Sequence, residues 1–228
     1  MCGRFTQQRP ASELAEIFAA EPLVDDIGAH YNVAPTDDAM VVVQREDRRA
    51  ITTYRWGLVP HWATDLKAGS RMFNARAETI TTSPAFRAAF KRRRCLVPVD
   101  SFYEWKREGK LRQLWAGWRD PASDPDSPLV HRTFTIVTTA PNEAMSGLHD
   151  RMPVIIPERA WERWLDPAGP EPGELLALLA PTDEIALRIY AVGREVNDVR
   201  RDGPSLVEPL IATEGEPEPS GSIIPTRT

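Results

Sequence analysis

Cysteine stands at position 2 of the chain, directly behind Met1. Removal of an initiator methionine before so small a residue would leave an α-amine and a thiol on neighbouring carbons. The α-amine titrates at about 7.7 to 8.0, against about 10.4 for lysine, so near pH 7.5 roughly a quarter to two-fifths of it is free base. Such an amine condenses with an aldehyde, and the adjacent thiol can close the Schiff base into a five-membered thiazolidine. An internal cysteine has only an amide nitrogen and cannot do this. Cys2 taken alone also fits a small buried hydrophobe near the chain start.

Three other stretches carry residues able to assist. In Phe73-Asn74-Ala75-Arg76-Ala77-Glu78-Thr79 the residues Asn74, Arg76 and Glu78 alternate and share one face if extended. An Asn amide can hold a terminal amine or a sugar hydroxyl, and an Arg fork matches a phosphate. A structural Asn/Arg network in a loop would use the same residues. In Val97-Pro98-Val99-Asp100-Ser101-Phe102-Tyr103-Glu104-Trp105, Glu104 sits among aromatics. Burial would raise its pKa and suit it to acid/base work, whereas exposure would pair it with Lys106 or Arg107. In Gly147-Leu148-His149-Asp150-Arg151-Met152-Pro153-Val154, His149 can exchange protons near neutral pH and Arg151 can meet a phosphate. A structural histidine is the alternative. Trp56 lies inside a strand pattern and reads as core, while Trp62, in a Pro-containing loop, could stack on an unpaired base.

The bulk properties bound these options. A net charge of −5 argues mildly against a nucleic-acid partner. The stretch from Arg87 to Arg112 offsets this, with nine basic residues against three acids, as a local basic groove or simply a solvated face. The N-terminus has no apolar h-region and no apolar run spans a bilayer, so a cytoplasmic protein with no membrane partner is expected. In that reducing compartment a disulfide between Cys2 and Cys95 is not expected. Two cysteines and four scattered histidines lack zinc-ligand spacing, so neither metal nor cofactor is expected.

The elements that must position these residues are mostly strands. Met40–Gln44, Ile51–Trp56, Cys95–Val99, Phe102–Trp105, Leu114–Trp118, Thr133–Thr138, Val154–Ile156 and Ala186–Val192 are rich in β-branched and aromatic residues. Helices are short: Pro10–Ala20, a segment opened by Ser83-Pro84, Pro157–Leu165 and Gly173–Leu179. Strands follow one another without intervening helices, which favours an antiparallel α+β fold. Asp120–Pro128 reads as a loop, and residues 213–228 as a disordered tail behind one domain over 1–212.

Taken in order, these pieces resemble the SRAP family, the SOS response-associated peptidases or abasic-site processing proteins. The resemblance rests on Met1-Cys2-Gly3-Arg4-Phe5, Tyr31-Asn32-Val33-Ala34-Pro35-Thr36, Trp56-Gly57-Leu58-Val59-Pro60 and Asn74-Ala75-Arg76-Ala77-Glu78-Thr79. It continues with Arg94-Cys95-Leu96-Val97-Pro98, Phe102-Tyr103-Glu104-Trp105, His149-Asp150-Arg151-Met152-Pro153 and the segment from Val196-Asn197 to Pro209. Ser101 stands where this family often has Gly. The resemblance implies mainly antiparallel sheets in a barrel-like core with short peripheral helices. It implies a DNA-damage role in which Cys2, after Met1 removal that is itself autoproteolytic, forms a covalent thiazolidine crosslink to the ring-opened abasic site in single-stranded DNA. By position, Asn74 anchors the Cys2 end and the sugar, Glu104 serves acid/base steps, and His149 transfers protons during ring opening or reversal. Arg76 and Arg151 hold phosphates, and Trp62 lies near the bases. Lyase-type and peptidase-like (hydrolase) chemistry, a monomeric state and nucleoid association when bound to DNA complete the expectation. The competing reading is a cysteine-dependent peptidase acting on other proteins through Cys2, His149 and Glu104. A non-catalytic nucleic-acid or protein interaction module is a third.

Overall fold

The computed structural model describes residues 2–105, 132–184 and 187–210, with the backbone of 222–223 and 226–227. The expected strand at Leu114–Trp118, the loop at Asp120–Pro128, the basic residues from Lys106 to Arg112 and most of the tail lie outside the described residues.

The chain opens with β1 (Arg4–Gln7), α1 (Ala11–Phe18), β2 (Ala20–Pro22), β3 (His30–Val33), β4 (Asp38–Arg45) and β5 (Arg48–Trp56). There follow β6 (Asn74–Arg76), α2 (Arg87–Arg92), β7 (Cys95–Leu96), β8 (Ser101–Trp105), β9 (Thr133–Phe134) and β10 (Ile136–Thr139). Then come α3 (Glu143–Ser146), β11 (Met152–Pro153), α4 (Trp161–Leu165), α5 (Pro172–Ala177), β12 (Leu187–Arg188) and β13 (Ala191–Val192). Last are β14 (Ser222–Ile223) and β15 (Thr226–Arg227). The fold is α+β, dominated by antiparallel pairing, with parallel pairs among the described residues at β2–β5, β5–β9 and β6–β10. Three sheets form, of seven, three and five strands, and among the described residues none closes into a barrel.

Strand β4 shows why the layers stack as they do. Side chains alternate across a strand, and here both faces are apolar. Met40 and Val42 point into a core shared with Leu14 and Phe18 of α1, Phe90 of α2, Trp161 and Trp164 of α4, and Leu175 of α5. Ala39, Val41 and Val43 point the other way, towards Phe5, Val33, Phe102 and Phe134. The five-stranded sheet is therefore covered by helices on one side and by the seven-stranded sheet on the other, which explains the unbroken apolar run Ala39–Val43.

Chain ends usually fray, but β1 lies between β3 and β8, and all four of its residues are buried. Buried Gln7 fixes its register: Nε2–H donates to the Met40 and Pro98 carbonyls, each at 2.8 Å, and Oε1 accepts from Met40 N–H at 2.9 Å. Arg4 donates to Asn32 Oδ1 at 2.8 Å and to the Val196 carbonyl at 2.6 Å. The Asn32 amide in turn donates to the carbonyls of Asp198 and Arg201, so the 196–201 segment is tied to the same strand.

Several boundaries differ from expectation. Ser83-Pro84 does not open the helix: Phe86 and Arg87 N–H both donate to the Ser83 carbonyl, a tight turn that delays α2 to Arg87. Cys95–Val99 shortens to Cys95–Leu96, because Pro98 has no N–H for a ladder. Val154–Ile156 is not a strand; pairing ends at Pro153. Arg94, counted in the basic stretch, is buried and hydrogen-bonds the carbonyls of Phe90, Lys91, Trp164 and Asp166.

Candidate active site at the N-terminus

The interior position of β1 delivers Cys2 to the end of a fixed strand. The β1–β8 ladder pairs Arg4 with Tyr103, Phe5 with Phe102 and Thr6 with Ser101, so Glu104 follows at the Cys2 end of β8. Asn74 arrives from a different sheet, on β6 beside β10. Its carbonyl neighbour Phe73 is pinned by the Trp56 indole N–H at 2.8 Å. Trp56 is fully buried, 4.9 Å from the Phe5 ring and stacked on Phe134, so one core aromatic joins the β1 and β6 sides of the site.

Asn74 Nδ2–H donates to the Cys2 carbonyl at 2.7 Å, and among the described residues Asn74 Oδ1 is buried without a hydrogen-bond partner. Burial of a polar oxygen in that state costs free energy, so it marks a point where a donor would be favourable. The Cys2 thiol is buried and its pKa is driven well above the ordinary value, foremost by burial and then by the Glu104 charge. Cys95 is pushed up to about 12 by burial alone, and both cysteines are free thiols.

Glu104 is buried and its carboxyl is raised, burial being the largest cause, with the Asp150 charge pushing the same way. His149 Nε2 lies 4.0 Å from Glu104 Oε2, the two side chains being 5% and 2% exposed. The imidazole is set by a short turn after α3. Asn142 caps α3 through Oδ1, which accepts from Met145 N–H, and His149 N–H donates to the Met145 carbonyl.

Two residues on, the Arg151 fork closes on Glu78 with contacts of 2.5 and 2.9 Å and also donates to the Thr138 carbonyl at 2.6 Å. This pairing holds the Glu78 carboxyl below its usual range. Arg76 is exposed on β6 and makes no ion pair among the described residues. Trp62 is 55% exposed on the loop after β5. Gly57 and Gly69 close the neck of that loop. Gly57 has φ +124°, and a Cβ there would lie 2.5 Å from the Gly69 oxygen.

The structure thus joins Cys2 to Asn74 and Glu104 to His149, and lets Glu104 act on Cys2 through its charge. Arg151 sits at the edge of this group with its fork on Glu78, while Arg76 and Trp62 are surface residues. Sequence reasoning missed three contributors: Glu78 as the partner of Arg151, Asn32 as the anchor of Arg4, and Asp150, whose Oδ1 is 2.9 Å from His149 Nδ1. Both Asn32 and Asp150 fall in motifs that drew attention for other residues. A cavity of about 1270 Å³ reaches Cys2 but is lined chiefly by apolar side chains such as Phe18, Phe90 and Trp164. Asn74, Glu104 and His149 do not line it, so its volume does not define the reacting centre. Among the described residues no group of His, Cys, Asp and Glu could hold a metal ion, and no helix is long and apolar enough to cross a membrane.

The family described as SOS response associated peptidase (SRAP) matches residues 1–199. The abasic site processing protein YoqW of Bacillus subtilis is 37% identical, covering 91% of this chain and 99% of its own. The abasic site processing protein YedK of Escherichia coli is 26% identical over 92% of this chain and its full length. A crystal structure of a protein from Bacteroides thetaiotaomicron superposes with a TM-score of 0.75 at 23% identity, covering 92% of this chain and all of that one, a likeness of fold.

Proposed function

Because the chain belongs to the SRAP family, we propose that it processes abasic sites in DNA, as the names of its relatives state for them. The reaction is covalent capture. Removal of Met1, which the chain itself catalyses, frees the Cys2 α-amine. That amine adds to the aldehyde carbon of the ring-opened deoxyribose, water leaves, and a Schiff base remains. The Cys2 sulfur then adds to the imine carbon while its proton passes to the imine nitrogen, closing a thiazolidine.

One observation carries this reading: residue 2 is a buried cysteine whose carbonyl is held by Asn74 at 2.7 Å, in reach of the Glu104 charge. A carboxyl whose proton affinity is raised by burial is suited to exchange a proton with the departing hydroxyl, and His149 beside it can move protons during ring opening and reversal. The partnerless Oδ1 of Asn74 suits a sugar hydroxyl or the freed amine. Arg76, exposed and outside any ion pair among the described residues, takes a phosphate, while Arg151 adds its charge from behind Glu78. Trp62 stacks on a neighbouring base. An abasic site has no base to unstack, so such a pocket reaches the sugar at small cost. Single-stranded DNA bound by a monomer of one SRAP domain is the matching assembly.

A cysteine peptidase acting on other proteins is the second reading, and the raised thiol weighs against it, since peptidase nucleophiles need a lowered pKa. The discriminating experiment is a variant series on abasic single-stranded DNA. Wild type gives a crosslink without reductant; Cys2→Ser gives one only when the Schiff base is trapped with borohydride; Cys2→Ala loses the durable product. Crosslinking by Cys2→Ala at the wild-type level, or peptide turnover beyond one equivalent by wild type, would overturn the proposal.

A further inference from the structure

His149 Nδ1 has two neighbours at the same distance that cannot both be satisfied. The Arg151 backbone N–H hydrogen-bonds to it at 2.9 Å, and Asp150 Oδ1 lies at 2.9 Å as an ion-pair contact. A ring nitrogen offers one in-plane lobe, which is either a lone pair or an N–H. As a lone pair it accepts from Arg151, and the ring proton then sits on Nε2. As an N–H it donates to Asp150, and Nε2 then carries the lone pair. Nε2 is the atom facing Glu104, at 4.0 Å.

We propose that Asp150 is a positioning residue that holds His149 with its proton on Nδ1, leaving the Nε2 lone pair turned towards Glu104 and the reacting centre. The geometry has no packing purpose that would account for it: the Asp150 side chain is 75% exposed while the imidazole is 5% exposed. A surface carboxylate thus reaches in from solvent to the one buried imidazole of the site. When Nε2 takes a proton, whether from the Glu104 carboxyl or from the sugar hydroxyl, the imidazolium keeps Nδ1–H on Asp150, whose charge offsets the new positive charge. Transfer from Glu104 leaves a carboxylate beside an imidazolium, so one proton is shared by the pair and none is lost. The effect of the Asp150 charge on the Glu104 carboxyl is in keeping with this line of three groups. The Arg151 amide supplies the opposite tautomer, in which Nε2–H is the donor. The same ring can therefore work as base in one direction of the reaction and as acid in the other.

The role in catalysis rests on the abasic-site reading above, whereas the tautomer claim does not, and the test separates them. Long-range proton–nitrogen NMR spectra of the histidine-labelled full chain, without DNA, report which ring nitrogen of His149 is protonated. The neutral wild-type ring is expected to carry its proton on Nδ1; in Asp150→Asn and Asp150→Ala it moves to Nε2, and Asp150→Glu keeps it on Nδ1. Crosslinking to abasic single-stranded DNA is expected to slow roughly tenfold or more in Asp150→Asn and Asp150→Ala, with most of the rate restored in Asp150→Glu. A wild-type ring protonated on Nε2, or a tautomer unmoved by Asp150→Asn, overturns the inference. So does a shifted tautomer with an unchanged crosslinking rate. If the tautomer shifts as expected but wild type forms no crosslink, the abasic-site reading fails and the assignment of Asp150 as tautomer partner stands.

Discussion

Glu104 and Glu78 both meet the turn at His149–Arg151, the first through the imidazole and the second through the guanidinium. Their surroundings drive them in opposite directions. Glu104 is 2% exposed and its carboxyl is raised by burial, so it keeps its proton beyond the usual carboxylate range. Glu78 is about half exposed and forked by Arg151, which keeps it ionised. Burial raises the proton affinity of one carboxyl, and the arginine clasp lowers that of the other. A single turn thereby meets two carboxylates shifted in opposite directions, of which the proposed mechanism uses the raised one for proton transfer.

The largest effect expected from this contrast is kinetic. Glu104→Gln should slow crosslink formation by about 100-fold or more, whereas Glu78→Gln should stay within about fivefold, the equivalent of roughly 1 kcal/mol. Time courses with abasic single-stranded DNA check both, and equal losses would erase the distinction. Next comes Arg151→Lys, which keeps the charge but loses the two-pronged contact with Glu78. Urea unfolding should show a loss of about 1 kcal/mol, with the His149 ring unaltered because Arg151 meets it through the backbone N–H. A change of His149 tautomer in that variant would mean that the two halves of the turn are not separable.

The smallest effect lies in the pH dependence of stability, where the two carboxylates should carry opposite signs. Glu104 has a raised native value, so above the usual carboxylate value of about 4.3 the native state holds more protons than the unfolded chain. Its contribution is complete below that value and is lost as pH rises through the native one. Glu78 has a depressed native value, so its contribution is present above the usual value and is lost as pH falls. Its exposure makes that contribution small. Urea midpoints measured across the acidic and neutral range should show Glu104→Gln gaining relative to wild type as pH rises, and Glu78→Gln converging on wild type as pH falls. Slopes of the same sign in the two variants would contradict this.

What could be read in the chain itself follows the range of the interactions involved. The long strands β4 and β5 announce themselves through apolar, β-branched runs, and the helices α1 and α4 through apolar stripes at helical spacing. Trp56 as core was legible for the same local reason, whereas the residues around Glu104 fitted an exposed carboxylate paired with Lys106 or Arg107 as well as the buried one the structure shows. Strand β1 was not: Arg4–Gln7 contains a single apolar residue, and its burial comes from Gln7 and Arg4 meeting carbonyls on β4 and at Val196. The barrel-like closure suggested by resemblance has no counterpart among the three open sheets of the described residues. The ion pair of Arg151 with Glu78 spans 73 residues, and no local pattern announces that the fork is turned to a carboxylate. The nearness of Asp150 to His149 Nδ1 depends on how the turn folds back after α3, which neighbouring residue types alone do not reveal.

The central claim, that residue 2 captures the lesion through its own nitrogen and sulfur, is tested most directly by intact mass spectrometry of the full chain mixed with a single-stranded oligonucleotide bearing one abasic site. The expected species has the mass of the protein lacking Met1 plus the oligonucleotide minus one water, and it persists without reductant. An adduct that retains Met1, or one formed in equal yield by Cys2→Ala, would contradict the account.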